Sequence, residues 1–318
     1  MTPSYRGRPL PRPHEEVVDQ GLGFDLGTIT SRRRMLSILG IGTVGVGLAA
    51  CGATSATDAA PSSSSSSRSS ASSSTSGALK EIPDETAGPY PGDGSNGPDV
   101  LEQSGVVRSD IRSSFGDARG TAEGVPMTLE LTVRDLAADG VPFTGAAVYV
   151  WHCDRDGRYS LYSDGVTDQN YLRGVQIVDE SGTVRFTSIF PACYEGRWPH
   201  IHFEVYRDRA DITDSTKAIA TSQLALPKDA CDAVYATAGY ESSVATLSRV
   251  SLSSDNVFGE DSAALQLATV TGNPSTGYRV SLPVGVDTRT TPKAGTPPAG
   301  GPGGGGPGGP PPGGRGPR

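Results

Sequence analysis

The chain has 318 residues, 42 of them Gly and 25 Pro, with a net charge of −8 at pH 7 and a pI near 5.1. An acidic chain of this kind argues against nucleic acid as the partner, because neutralising phosphates takes a basic face. The low hydrophobic share, 35%, averages low-complexity stretches with a domain of about 200 residues, enough to bury one sizeable core.

In chain order, residues 1–51 read as an export region. Ser31-Arg32-Arg33-Arg34-Met35-Leu36 precedes a small, apolar run over 38–50. That run is too short to span a membrane and follows positive charge, which is the layout of a signal peptide. The arginines resemble the twin-arginine export signal. Leu48-Ala49-Ala50-Cys51 resembles the lipobox of bacterial lipoproteins, which implies lipid on Cys51 and anchorage on the outer face of the cytoplasmic membrane. An ordinary secretory signal would instead release the protein. The twin-arginine route carries folded proteins, often with a cofactor inserted, so it suits a metal protein.

Residues 52–79 are Ser/Ala-rich and read as a flexible tether. Residues 287–318 are Gly/Pro-rich and read as a disordered tail. Between them, over 80–286, strands dominate. Period-two alternation or β-branched and aromatic enrichment predicts strands over 127–133, 146–153, 183–189, 200–206, 218–226, 263–271 and 278–284. A short helix fits 228–237, after Pro227. Many short strands separated by Gly and Asp clusters predict an all-β domain, an antiparallel β-sandwich with short helices.

Only three His fall in this domain: His152, His200 and His202. Two of them form His200-Ile201-His202 on a predicted strand. Residues i and i+2 share one face at ~7 Å, so both imidazoles can converge on one metal. Tyr194 lies just upstream, in Pro191-Ala192-Cys193-Tyr194. Tyr159 closes Trp151-His152-Cys153-Asp154-Arg155-Asp156-Gly157-Arg158-Tyr159. The combination W-H-x-x-x-x-G-R-Y, P-x-x-Y and R-x-P-H-I-H-F resembles the intradiol ring-cleavage dioxygenases, the protocatechuate and catechol dioxygenase family. Glu85-Thr86-Ala87-Gly88-Pro89-Tyr90 resembles that family's entry segment, and the resemblance runs over 82–206.

That resemblance implies a non-haem Fe(III) centre held by Tyr159, Tyr194, His200 and His202. It also implies insertion of both atoms of O2 into a catechol, giving a cis,cis-muconate. Tyr194 would be the axial tyrosinate that leaves the metal and takes a substrate proton. His202 would lie opposite it, while Tyr159 and His200 would share the equatorial plane. Arg197 stands where the family has a pocket arginine, a fixed cation suited to charge on the activated ring. Trp198 is expected to pack beside the site, and Tyr90 to line the pocket or pack at a strand end. His152 is a reserve ligand, and Tyr162 is a neighbour that the G-R-Y match disfavours.

The chain departs from the family in three ways. The Tyr194–His200 loop is short, which suggests a more open pocket and leaves the particular catechol undetermined. The helical N-terminal segment by which catechol dioxygenases dimerise is missing, so no oligomeric state carries over. With Cys51 lipidated, Cys153, Cys193 and Cys231 remain, and export favours pairing among them. Any of the three pairings is open, one of which would brace the ligand loops. The competing reading is a catalytically silent β-sandwich that binds iron or catecholates at the cell surface.

Overall fold

A computed structural model describes residues 79–292, together with the backbone of a short ladder between β1 (Ser4–Tyr5) and β2 (Arg8–Pro9). The chain divides into two units, Met1–Ser70 and Ala71–Arg318. The expected signal, the lipidated Cys51 and nearly all of the Ser/Ala-rich tether lie outside the described residues, as does the Gly/Pro-rich tail beyond residue 292. Among the described residues no helix is long and apolar enough to cross a membrane.

The second unit is a sandwich of two sheets. The first is built on β3 (Pro126–Asp135), which pairs antiparallel with β7 (Thr183–Ile189) and, near its end, with β4 (Val141–Pro142). On its other side β3 pairs with β11 (Gly277–Val286), which in turn pairs with β10 (Thr269–Asn273). The second sheet runs in the order β6 (Arg173–Ile177), β5 (Ala147–Trp151), β8 (His200–Tyr206), β9 (Ala218–Ala225), with antiparallel neighbours throughout.

Alternation assigns each side chain to a layer. Leu129, Leu131, Val133 and Phe186 from the first sheet meet Val148, Val150, Ile201 and Phe203 from the second in one apolar core. The other face of β5 carries Ala147, Tyr149 and Trp151, packed beneath Val100, Leu101 and Val106 from the segment preceding β3. β5 and β8 are therefore buried on both faces. On β8 the second face holds His200, His202, Glu204 and Tyr206.

Strands 183–189 and 200–206 fall where the sequence pattern predicts them. The helix after Pro227 is α1 (Lys228–Tyr235), with Pro227 at its N-cap. Four features differ. β3 and β11 run parallel, a pairing between distant segments that alternation cannot reveal. β10 begins at Thr269, later than 263, because Ser262 and Ala263 adopt left-handed backbone angles that end any extended run. A second helix, α2 (Glu241–Leu247), has the polar sequence ESSVATL, too short to show a helical period. β6 was missed because Gly174 and a buried Arg173 interrupt its apolar pattern. The cysteines also differ from expectation: Cys153, Cys193 and Cys231 are buried free thiols. Burial shields them from oxidants without pairing.

α2 braces the site from behind. The Ser243 hydroxyl accepts the Cys193 N–H (3.0 Å). At the entry to α2, the Tyr240 hydroxyl donates to the Phe190 carbonyl (2.7 Å) and accepts the Val125 N–H (3.0 Å). Tyr240 thereby ties the start of β3 to the exit of β7. Replacing Tyr240 by Phe leaves both backbone groups buried and unpaired. We expect a loss of about 2–4 kcal/mol of unfolding free energy by urea denaturation, with no change in denaturant slope.

Candidate metal centre

The pleat of β8 turns His200 and His202 to the face away from the sandwich core. The His200 Nδ1 lies 2.6 Å from the Trp198 carbonyl. A carbonyl only accepts, so Nδ1 carries the hydrogen and Nε2 of the neutral ring presents a lone pair. That Nε2 lies 3.0 Å from His202 Nε2, 3.2 Å from the Tyr194 hydroxyl and 3.5 Å from the Tyr159 hydroxyl. The four expected residues thus converge on one point. The His202 ring stacks on Trp151 (4.9 Å between centroids, 8° between planes). Its Nδ1 is buried and has no hydrogen-bond partner among the described residues.

Two loops deliver the tyrosines. The Asp154 carboxylate accepts the Asp156 and Arg158 N–H groups, the Arg158 Nε and the Tyr171 hydroxyl. This closes the turn after β5 and aims Tyr159 inward, where the Ser163 hydroxyl accepts its N–H. The Tyr194 loop turns through Gly196, whose φ of 81° suits glycine, and closes with the Arg197 N–H on the Tyr194 carbonyl. Glu195 and Gly196 are exposed, Tyr194 is half-buried and Tyr159 is buried. Gly88 approaches from the entry segment. A Cβ there would lie 3.2 Å from His202 Cε1, and its φ of 74° is left-handed.

Burial governs the protonation states. It pushes the Tyr194 phenol up to about 12 against the pull of nearby Arg197. Burial, with Tyr194 beside it, lifts Tyr159 well above its ordinary value. Burial, with Arg197 nearby, takes His200 down to about 3, and burial with His200 alongside takes His202 well below its usual range. Without a cation, all four donors are neutral at pH 7.

Among the described residues, His, Cys, Asp and Glu form no group of three or more that could hold a metal ion. The donor set here is half tyrosine. Two imidazole lone pairs and two phenols aimed at one point fit a hard, highly charged cation, which would release the phenol protons that burial otherwise retains.

Other sequence candidates fall elsewhere. His152 spends both ring nitrogens, on the Cys153 carbonyl (2.8 Å) and the Ser188 hydroxyl (2.7 Å), so it has none left for a metal. The Tyr162 hydroxyl accepts the Gly92 N–H and donates to the Asn96 carbonyl. The Tyr90 ring packs on Tyr159 and Tyr162, at 5.0 and 5.2 Å between centroids. The Trp198 ring is buried in the sandwich core, its Nε1 donating to the Leu226 carbonyl, and only its backbone carbonyl meets His200. Arg197 is buried, with Nε on Asp255 (3.0 Å) and Nη2 on the Gln223 amide oxygen (2.6 Å). Gln223 pairs with His202 across β8 and β9 and donates Nε2 to the Thr86 carbonyl. Sequence reasoning missed Gln223 and Gly88. An amide just before the apolar Leu224-Ala225-Leu226 run was the available sign for Gln223, whereas Gly88 had only the Gly-Pro dipeptide.

Residues 96–207, less than half of the chain, match the family model described as Dioxygenase, and there the chain is similar to catechol-type and intradiol ring-cleavage dioxygenases. It is 42% identical over 77 residues to a chlorocatechol 1,2-dioxygenase of Rhodococcus opacus, covering 24% of this chain and 29% of that protein. To a chlorocatechol 1,2-dioxygenase of Pseudomonas sp. (strain P51) it is 28% identical over 130 residues, covering 35% of this chain and 49% of that protein. The chain therefore spans less than half the length of these relatives. The fold is similar to that of an intradiol ring-cleavage dioxygenase from Tetranychus urticae, with a TM-score of 0.53 at 22% identity over 67% of this chain and 97% of that one.

Two measurements probe this geometry. Gly88→Ala combines left-handed backbone strain of ~1–2 kcal/mol with pressure on the His202 ring. It should weaken metal retention about tenfold in a chelator competition, whereas unchanged retention would mean that Gly88 does not bear on His202. Burial, with Asp93 nearby, lifts the Glu204 carboxyl from its ordinary 4.5 to about 8. Folded protein then holds a proton that unfolded chain releases between those values, so stability falls as pH rises from 4.5 to 8. Glu204→Gln abolishes this loss. Relative to wild type it should gain on the order of a few kcal/mol between pH 4.5 and 8 in urea melts of the metal-free protein.

Proposed function

We propose that this protein is a non-haem Fe(III)-dependent dioxygenase that cleaves catechol-type rings between the two oxygen-bearing carbons, consuming O2 and giving cis,cis-muconate-type products. The observation that carries the reading is the convergence of the His200 and His202 Nε2 atoms with the Tyr159 and Tyr194 hydroxyls on one point. The four would hold the iron. When bound, ferric iron supplies the Lewis acidity that binds a catechol through its oxygens and renders the ring reactive towards O2.

The chain's own residues divide the remaining work. Tyr159 is buried, with Tyr90 packed on its ring. It is the fixed tyrosine. Tyr194 is half-buried beside the exposed Glu195-Gly196 turn. It is the tyrosine free to move, and, once a bound cation had released its own proton, its phenolate oxygen would take a proton from an incoming catechol. Arg197 is the buried cation nearby, and its charge favours an anionic ring over a neutral phenol. The short Tyr194–His200 loop, exposed at Glu195 and Gly196, suits a more open pocket, and the substrate is assigned no further than a catechol.

Residues 1–51 carry the rest of the proposal: twin-arginine export of the folded protein and lipid on Cys51 as its membrane anchor. The buried free thiols of Cys153, Cys193 and Cys231 suit a protein that folds in the cytoplasm before export.

Iron-loaded protein should be red-brown from tyrosinate-to-iron charge transfer, and the band should shift when catechol is added. Protein that stays colourless after Fe(III) loading would refute the proposal. Colour without oxygen uptake on any catechol would make it a binding protein instead. Tyr194→Phe should keep part of the iron and lose most of the turnover, at least 100-fold in kcat.

A further inference from the structure

Arg197 is held by residues outside the family-matched segment 96–207. The Asp255 side chain is fully buried, and both its oxygens are engaged. Oδ2 accepts Arg197 Nε (3.0 Å) and the Trp198 N–H (2.7 Å), while Oδ1 accepts the N–H groups of Val257 (2.8 Å) and Phe258 (3.0 Å). Four donors on one carboxylate leave it a single orientation. Burial opposes its charge, but Arg197 and the backbone donors outweigh burial and keep the carboxyl below its ordinary range.

The same segment brings Phe258 to the site. Its ring centroid is 5.9 Å from the Arg197 guanidinium carbon and 6.4 Å from the His200 ring centroid. With Nε on Asp255 and Nη2 on Gln223, two edges of the planar guanidinium are fixed. Nη1 makes no hydrogen bond among the described residues, and it is not one of the fully enclosed unpartnered atoms. A planar cation fixed at two edges has one direction left for the third.

We propose that Asp255 is a positioning residue that sets the orientation of Arg197, keeping the free Nη1 end turned toward the substrate side of the site. A buried guanidinium without its carboxylate would turn to seek another acceptor, and its charge would no longer stand where the ring becomes anionic. The inference rests on the function proposed above, since that function gives Arg197 its role. Asp255 acts through Arg197 and touches no reacting atom.

The test uses full-length iron-loaded protein, with two variants and their combination. Asp255→Asn keeps an acceptor for the Val257 and Phe258 N–H groups while removing the charge and the acceptor that faces Arg197 and the Trp198 N–H. We expect kcat to fall ten- to a hundredfold, with KM changing less than threefold. Affinity for 4-nitrocatechol, a ring-anion probe read by its visible band without turnover, should fall about tenfold. In an Arg197→Gln background the same change should lower kcat by no more than threefold, because the orientation it controls is already gone. Equal losses in both backgrounds, or wild-type kcat and probe affinity in Asp255→Asn, would overturn the proposal. Should Asp255→Asn fail to retain iron, Asp255→Glu, which keeps the charge at a longer reach, is measured instead and read by the same criteria. Wild-type protein that neither binds the probe nor cleaves catechol defeats the functional reading itself. Wild-type activity together with an indifferent Asp255 variant defeats only this inference.

Discussion

The two-sided burial of β8 is the constraint on which the rest of the structure depends. A strand alternates its side chains, so a strand covered on both faces has two interiors. One receives Ile201, Phe203 and Val205 in the sandwich core. The other receives His200, His202, Glu204 and Tyr206, all buried. A one-residue slip in register would send the imidazoles into the hydrocarbon core and the apolar residues against the loops. Pairing with β5 and β9, which sets Trp151 and Gln223 opposite His202, excludes that slip and decides where the candidate centre lies.

The second interior is polar only where something answers it. Glu204 is answered by the Tyr206 hydroxyl and Asp154 by the donors of its own turn. The imidazole and phenol groups at the centre have chiefly each other, and His202 Nδ1 has no partner among the described residues. Burial holds all four donors neutral. Each such group is costly unless something compensates it, and a multivalent cation would compensate the four together. Arg197 adds a fixed, buried positive charge nearby. Its own cost of burial is met by Asp255 and Gln223, so that charge is supported by parts of the chain distant in sequence.

The loops divide rigidity from mobility. Tyr159 sits on a turn locked by a buried carboxylate and beneath Tyr90. Tyr194 sits on a short turn whose tip is exposed but whose root is pinned at Cys193 by α2. One tyrosine is thus buried, and the other is half-buried, its ring against Tyr159 and His200 beside the exposed tip. That asymmetry suits one ligand that stays and one that moves.

Much of this was legible in the sequence. The strand-favouring residues over 183–189 and 200–206 specify those strands to the residue, and His200-Ile201-His202 on such a strand determines that both imidazoles share one face. Tyr159 and Tyr194 were legible only through resemblance, because nothing local in a turn shows which tyrosine points inward; Tyr162, three residues on, points elsewhere. Tertiary structure alone decided which face of β8 would be polar, the parallel pairing of β3 with β11, the free state of the three thiols, and the contacts of Gly88, Gln223 and Asp255. These depend on approaches between segments far apart in the chain. Alternation records only a residue's own strand, so it cannot report which distant backbone or carboxylate will arrive beside it.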